Sequence, residues 1–161
     1  MRTTDRVLLG IVLGAVLLAG SAFALVLLKP EPAYLAEDTP EGVVHNYLLA
    51  LQREEYSRAY SYLSPNLPGY PRTEEQFRQQ VEDSYLIQGI NEGSLRTATA
   101  TVRGTQAEVE VRETVFYDGS LFDSGQYVNT FTVELTQVGD GWRIADSERY
   151  FYYCWRTFGE C

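Results

Sequence analysis

From Gln126 to Val138 the side chains alternate. Tyr127, Phe131, Val133 and Leu135 share one phase, and Thr130, Thr132, Glu134 and Thr136 take the other, the period of a half-buried β-strand. Gln106–Tyr117 repeats the pattern, with Ala107, Val109, Val111, Val115 and Tyr117 set against Glu108, Glu110, Arg112 and Thr114. The two runs predict a long hairpin. A weaker alternation over Leu95–Arg103, closed by Gly104-Thr105, adds a strand on one side. Gly139-Asp140-Gly141 reverses the chain into a last strand from Trp142 onward. The strand Gln126–Val138 is therefore expected to be central and antiparallel to neighbours on both edges.

Upstream the period changes to that of a helix. Thr39 is placed as an N-cap with Pro40 at the first helical position, and Val44, Tyr47, Leu48 and Leu51 recur at spacings of three and four. A second helix is predicted from Glu54 through Leu63, where Ser64-Pro65 stops it. A third opens at Thr73, with Gln76 at the spacing of a capping box and Phe77 and Val81 as its apolar edge. The expected class is α+β, with three helices laid on an antiparallel sheet.

Ahead of the helices, Val7–Leu28 holds 22 residues without a charged side chain. As a helix this reaches about 33 Å, enough for a hydrocarbon core of about 30 Å. Arg2 and Arg6 precede it, and Lys29 alone follows before a run of acids. That asymmetry predicts a single-pass cell-membrane protein with residues 1–6 cytoplasmic, 7–28 in the bilayer and the rest outside. A cleaved signal peptide is the alternative, since Ala22-Phe23-Ala24 has the small-x-small form of a cleavage site; both readings export the domain. Gly10 and Gly14 form a Gly-xxx-Gly pair of the kind that lets membrane helices approach. Residues 29–38, with Pro30 and Pro32, read as an extended linker of about 25 to 30 Å. Residues 39–161 make one domain.

Charge narrows the partners. Residues 30–161 carry ten Arg, no Lys and 21 Asp or Glu, a balance of −11, which argues against nucleic acid and against anionic lipid as ligands of the domain.

The phrase Gly42-Val-Val-His-Asn-Tyr-Leu-Leu-Ala-Leu-Gln-Arg-Glu-Glu-Tyr-Ser-Arg-Ala-Tyr-Ser-Tyr-Leu-Ser-Pro65, followed by a third helix and a sheet ending in Gly141-Trp-Arg-Ile144, resembles the nuclear-transport-factor-2-like superfamily over Thr39–Tyr153. In particular it is similar to small membrane-anchored, exported bacterial members of unknown function. The resemblance implies a cone, in which a curved antiparallel sheet wraps three helices around a pocket. It implies no reaction, because that superfamily holds isomerases, dehydratases and cyclases beside members that only bind or assemble.

Motifs for catalysis are sparse. His45 is the only histidine and lies off the apolar stripe of its helix, while one His and two Cys make no standard zinc site. No nucleophile elbow, dinucleotide fingerprint or phosphate-cradling loop occurs. No catalytic residue, metal or cofactor is assigned. The informative break is in the hairpin, where Glu113 and Asn129 fall on the apolar phase among Val111, Val115, Tyr127 and Phe131. With Tyr117 facing Tyr127, Val115 faces Asn129 and Glu113 is its diagonal neighbour. Continuing the phase of Trp142 and Ile144 brings in Asp146 and Glu148. Glu113, Asn129, Tyr127, Tyr117 and Asp146 are thus the candidate pocket residues. Carboxylates in an apolar pocket serve as acid or base in isomerases of this fold. Alternatively a bulge turns these side chains away, or Arg112, Arg143 or Arg149 pairs with them.

The C-terminal twelve residues hold six aromatics with Cys154 and Cys161. In an exported domain the two cysteines are expected to form a bridge, contributing about 2.5 kcal/mol and pinning the end of the last strand. Two functions remain open: a tethered, non-enzymatic module that binds an unknown protein or small molecule, with a homodimer through the sheet as one form, or a small-molecule enzyme of the isomerase or cyclase type using a pocket carboxylate.

Overall fold

The computed structural model describes residues 3–27, 32–84, 89–91, 93–118 and 124–157. They form two compact units, divided after Ala33. The first contains α1, Thr3–Leu27, a helix of 25 residues whose described side chains Leu8, Leu9, Ile11, Val12, Leu13, Val16, Leu17, Leu18 and Phe23 are all exposed. Among the described residues no helix is long and apolar enough to cross a membrane. The expected span, Val7–Leu28, includes side chains outside that set, at positions 7, 22 and 25–28.

The second unit runs from Tyr34 and is α+β: α2 (Pro40–Gln52), α3 (Tyr56–Ser61), α4 (Glu74–Glu82), β1 (Gly93–Arg103), β2 (Gln106–Asp118), β3 (Ser124–Val138), β4 (Gly141–Ser147) and a short 3-10 turn, Tyr153–Arg156. The sheet order is β1-β2-β3-β4, every pair antiparallel, so β3 lies inside with a neighbour on each edge as its alternation predicts.

α2 is the core helix. Thr39 caps it, its Oγ1 accepting the Gly42 N–H at 3.1 Å, and Pro40 sits at its first position. Burial spreads wider than the expected stripe: Val43, Asn46, Leu49 and Ala50 are as buried as Val44, Tyr47, Leu48 and Leu51. A helix apolar on most sides belongs in the middle of a fold, and α2 packs on β1, β2 and β4. α3 is shorter than the expected Glu54–Leu63. Glu54 takes a left-handed backbone, φ 58°, and Tyr62 and Leu63 leave the helix to join the sheet, where Ile144 N–H donates to Tyr62 O and Ser64 N–H to Ile144 O, each at 2.8 Å. α4 begins as expected at Thr73, whose Oγ1 accepts the Gln76 N–H, while the Gln76 side chain reaches back to Arg72 N–H at 2.8 Å.

Two irregularities shape the sheet. β1 is bulged between Thr97 and Ala100, and Glu41 of α2 accepts the Ala100 N–H at 2.8 Å; the bulge and this cap blunt an edge that would otherwise pair with another chain. In β4 the register shifts at Ala145, so that Ile144 faces Leu135 but Asp146 faces Glu134 and Ser147 faces Val133.

The last strand is not continued through the aromatic tail, contrary to expectation. β4 stops at Ser147, and Tyr150 enters a left-handed conformation, φ 56°. The chain then turns inward, and Tyr150, Phe151 and Trp155 become core residues, each 2% exposed or less. Phe77 and Trp155 stack at 5.3 Å, and Phe151 meets Trp155 edge-on at 4.9 Å.

Tyr47 lies fully inside this core and donates its hydroxyl to Tyr150 O at 2.8 Å. Burial pushes its phenol well above the ordinary value of 10.0. A phenol that ionises more readily unfolded than folded stabilises the fold fully below about pH 10, and that stability is lost as pH rises further. The melting temperature should therefore fall above pH 10, and less steeply in Tyr47→Phe; equal slopes in both proteins would remove Tyr47 from the account.

Candidate functional site

Among the described residues Glu113 is the one buried acid, 1% exposed on β2. It stands directly opposite Asn129, with Val115 opposite Tyr127 and Tyr117 opposite Gly125. The hairpin register thus differs by two residues from the expected one, which kept the phase but made the pair diagonal. Both oxygens of the carboxylate are engaged. Oε1 accepts the Tyr150 hydroxyl, and Oε2 accepts Asn129 Nδ2 at 3.2 Å and pairs with Arg149 Nη1 at 2.7 Å. Phe131 packs edge-on against the Tyr150 ring, 5.7 Å between centroids, and the Arg149 guanidinium lies 5.4 Å from it. The Arg149 side chain is 41% exposed, so the pair is buried at the acid and wet at the base.

The other candidates are not brought here. The bulge at Ala145 carries Asp146 to the outer phase, where it pairs with Arg156 at 2.6 Å and accepts the Ser147 N–H. Ser147 takes its place inward, 2% exposed. Glu148 is also outside, accepting the Thr132 N–H at 2.9 Å. Tyr127 is 49% exposed, toward the end of the hairpin where Asp118 pairs with Ser124. The side chain of Tyr117 lies outside the described residues, as does Cys161. Cys154 is buried, and no free cysteine occurs among the described residues.

Sequence reasoning offered Arg149 as a partner of the buried acid but missed Tyr150, which is treated there as part of a strand. A left-handed tyrosine has no sequence signature. Chemically the cluster is a carboxylate whose hydrogen-bonding capacity is used by its own chain. Among the described residues no buried side-chain nitrogen or oxygen lacks a partner, and no group of His, Cys, Asp and Glu could hold a metal ion.

Outside the core, Phe116 and Val128 are 63% and 56% exposed. They are diagonal neighbours on the outer phase of β2 and β3, because Phe116 faces Gln126 and Thr114 faces Val128.

The chain is similar to several solved structures. An NTF2-like protein with a cystatin-like fold from Novosphingobium aromaticivorans aligns with a TM-score of 0.48 and 18% identity, over 82% of this chain and 88% of that one. Among the structural neighbours are NTF2-like proteins. A SEC-C motif containing protein from Rhodopseudomonas palustris aligns at 0.48 and 13% identity over 71% of this chain and 80% of its own. A protein of unknown function with a cystatin-like fold from Nostoc punctiforme aligns at 0.44 and 13% identity over 66% and 84%. No family model matches the chain, and no curated protein does. Likeness at this level says nothing of a reaction.

Proposed function

We propose that the protein is a membrane-tethered, extracytoplasmic binding module without catalytic activity. One observation carries the non-enzymatic part: the interior that would receive a substrate is occupied by Tyr150, Phe151 and Trp155 of the same chain, and the Tyr150 hydroxyl donates to the buried acid Glu113. A ligand site is a concave space with a few convergent polar groups; here the convergent groups satisfy one another. The exposed pair Phe116 and Val128 gives the module an apolar contact surface of its own.

The tether rests on the sequence, 22 uncharged residues at Val7–Leu28 with Arg on their N-terminal side, and on the helical conformation of α1. Protease added outside intact cells should remove the domain after about Pro30 while the tail before Val7 stays protected; a protected domain would sink the orientation. Cys154 and Cys161 are proposed to be bridged. They should resist alkylation until reduced, and two reactive thiols in the exported protein would end that idea.

The test of the function itself is a thermal melt against a library of steroids, polyketide-like acids and lipids, followed by product analysis. A compound that raises the melting temperature and is chemically converted would overturn the non-enzymatic reading.

A further inference from the structure

Residues 34–37, expected as part of a featureless linker, lie in a groove along α2 and α3. Two α2 residues one turn apart make its floor. A Cβ on Gly42 would stand 1.9 Å from Ala36 O, so only glycine lets the backbone come this close. Asn46, fully buried, turns its whole amide to the incoming segment: Oδ1 accepts the Leu35 N–H at 2.8 Å and Nδ2 donates to Leu35 O at 2.9 Å. These are the two bonds a neighbouring β-strand would exchange with that residue. They read backbone and ignore the side chain, and Leu35 is half exposed.

Selection by side chain occurs on either side of this clasp. The Tyr34 ring lies beneath the Arg58 guanidinium, 3.4 Å from its centroid, with Arg53 at 5.3 Å, and its hydroxyl donates to Glu55 Oε2 at 2.8 Å. Burial and the Glu55 hydrogen bond hold that phenol above its ordinary value. Three residues on, Glu37 accepts the Tyr62 hydroxyl at 2.7 Å and pairs with Arg58 at 3.5 Å. Arg58 serves both positions, and its Nε also donates to Tyr62 Oη at 3.1 Å.

We propose that this groove is a peptide-binding site whose partner is an extended segment carrying a tyrosine followed three residues later by a carboxylate, and that residues 34–37 are its resident competitor. A backbone clasp between side-chain-selective pockets is how extended peptides are read. This deepens the binding-module reading and rests on it. A segment joined to the groove through Thr39 competes at an effective concentration of roughly millimolar or more, so a partner enters only when it is abundant or when the resident segment is withdrawn.

The test uses the full chain in detergent with a fluorescent peptide of residues 34–39, read by anisotropy. In one variant Tyr34, Leu35, Ala36 and Glu37 are replaced by Gly-Ser-Gly-Ser, which removes the competitor's anchors and leaves the groove. This variant should bind the peptide saturably, and the wild type at least about tenfold more weakly. Adding Gly42→Ala or, separately, Arg58→Gln to the variant should weaken binding by a further tenfold or so; Arg58 is partly exposed, so its replacement leaves the core intact if Gly42→Ala disturbs folding. Absence of saturable binding to the Gly-Ser variant, or binding that Arg58→Gln leaves unchanged, overturns the proposal. Neither result bears on the ligand-library test, so failure of the groove and failure of the module are told apart.

Discussion

Replacing Trp155 by Ala should lower the stability of the domain by about 3–5 kcal/mol, the range for deleting a fully buried tryptophan, with a fall in melting temperature of roughly 10 to 20 °C. The side chain is inaccessible to water and shares ring contacts with Phe77, Phe151 and Tyr152, and its Nε1–H donates to Gln80 Oε1 at 2.8 Å. Alanine removes the apolar volume and leaves Gln80 without that donor, so transfer, cavity and hydrogen-bond losses act together. Trp155→Phe should recover part of the loss, because the stack on Phe77 survives while the Gln80 bond does not. Gly69→Ala should act in the same direction without touching a ring. Its Cβ would come within 1.9 Å of Cys154 O, and its N–H donates to Trp155 O at 3.2 Å. A loss below about 1 kcal/mol for Trp155→Ala, within the scatter of surface substitutions, would mean that the C-terminal turn is not part of the core. The reading of a closed interior would then fall.

What sequence periodicity could and could not reveal follows from which groups set each feature. The hairpin β2–β3 and its phase were legible because one face is buried and a period of two leaves no alternative. Glu113 and Asn129 were legible for the same reason: a polar residue in an apolar phase is conspicuous. The two-residue register difference was not, since slipping by two keeps every side chain on its own face. Asp146 and Glu148 were misplaced by one extra residue, Ala145, and a bulge of that kind is set by the paired strand rather than by local composition. The aromatic tail has β-forming residues on both phases, which suits a covered strand and an inward-turning loop equally well; the left-handed turn at Tyr150 decides, and it is held by Tyr47, 103 residues away. The docked segment 34–37 was hidden because its partners Asn46, Arg58 and Tyr62 lie on α2, on α3 and just past the end of α3. Gly42 was visible within α2, where a glycine lowers helix propensity, but its purpose shows only once Ala36 is beside it.

Arg149→Met should destabilise the domain by about 2 kcal/mol, whereas Glu113→Gln should change stability by less than about 1 kcal/mol. Breaking a buried ion pair by removing one partner costs about 3–5 kcal/mol, because a charge stays behind unpaired. Water reaches the Arg149 end here, 41% exposed, while the Glu113 end is sealed, so the lower figure applies after solvent screening. Glutamine in place of Glu113 leaves a neutral amide in the core, able to accept the Tyr150 hydroxyl or the Asn129 amide, and leaves Arg149 free to turn to solvent. Combining the two changes should then cost little more than Glu113→Gln alone, a coupling of about 2 kcal/mol in a double-mutant cycle. The measurement is urea unfolding of the four proteins under one set of conditions. Additive losses would show that Arg149 is held by its contact with the Tyr150 ring rather than by the acid. The same set bears on function. If Glu113 were a working acid or base, Glu113→Gln would fold normally and abolish conversion of a compound that still binds. For a carboxylate whose Oε1 is taken by Tyr150 and whose Oε2 is shared by Asn129 and Arg149, the expected result is an unchanged binding profile and no turnover in either protein.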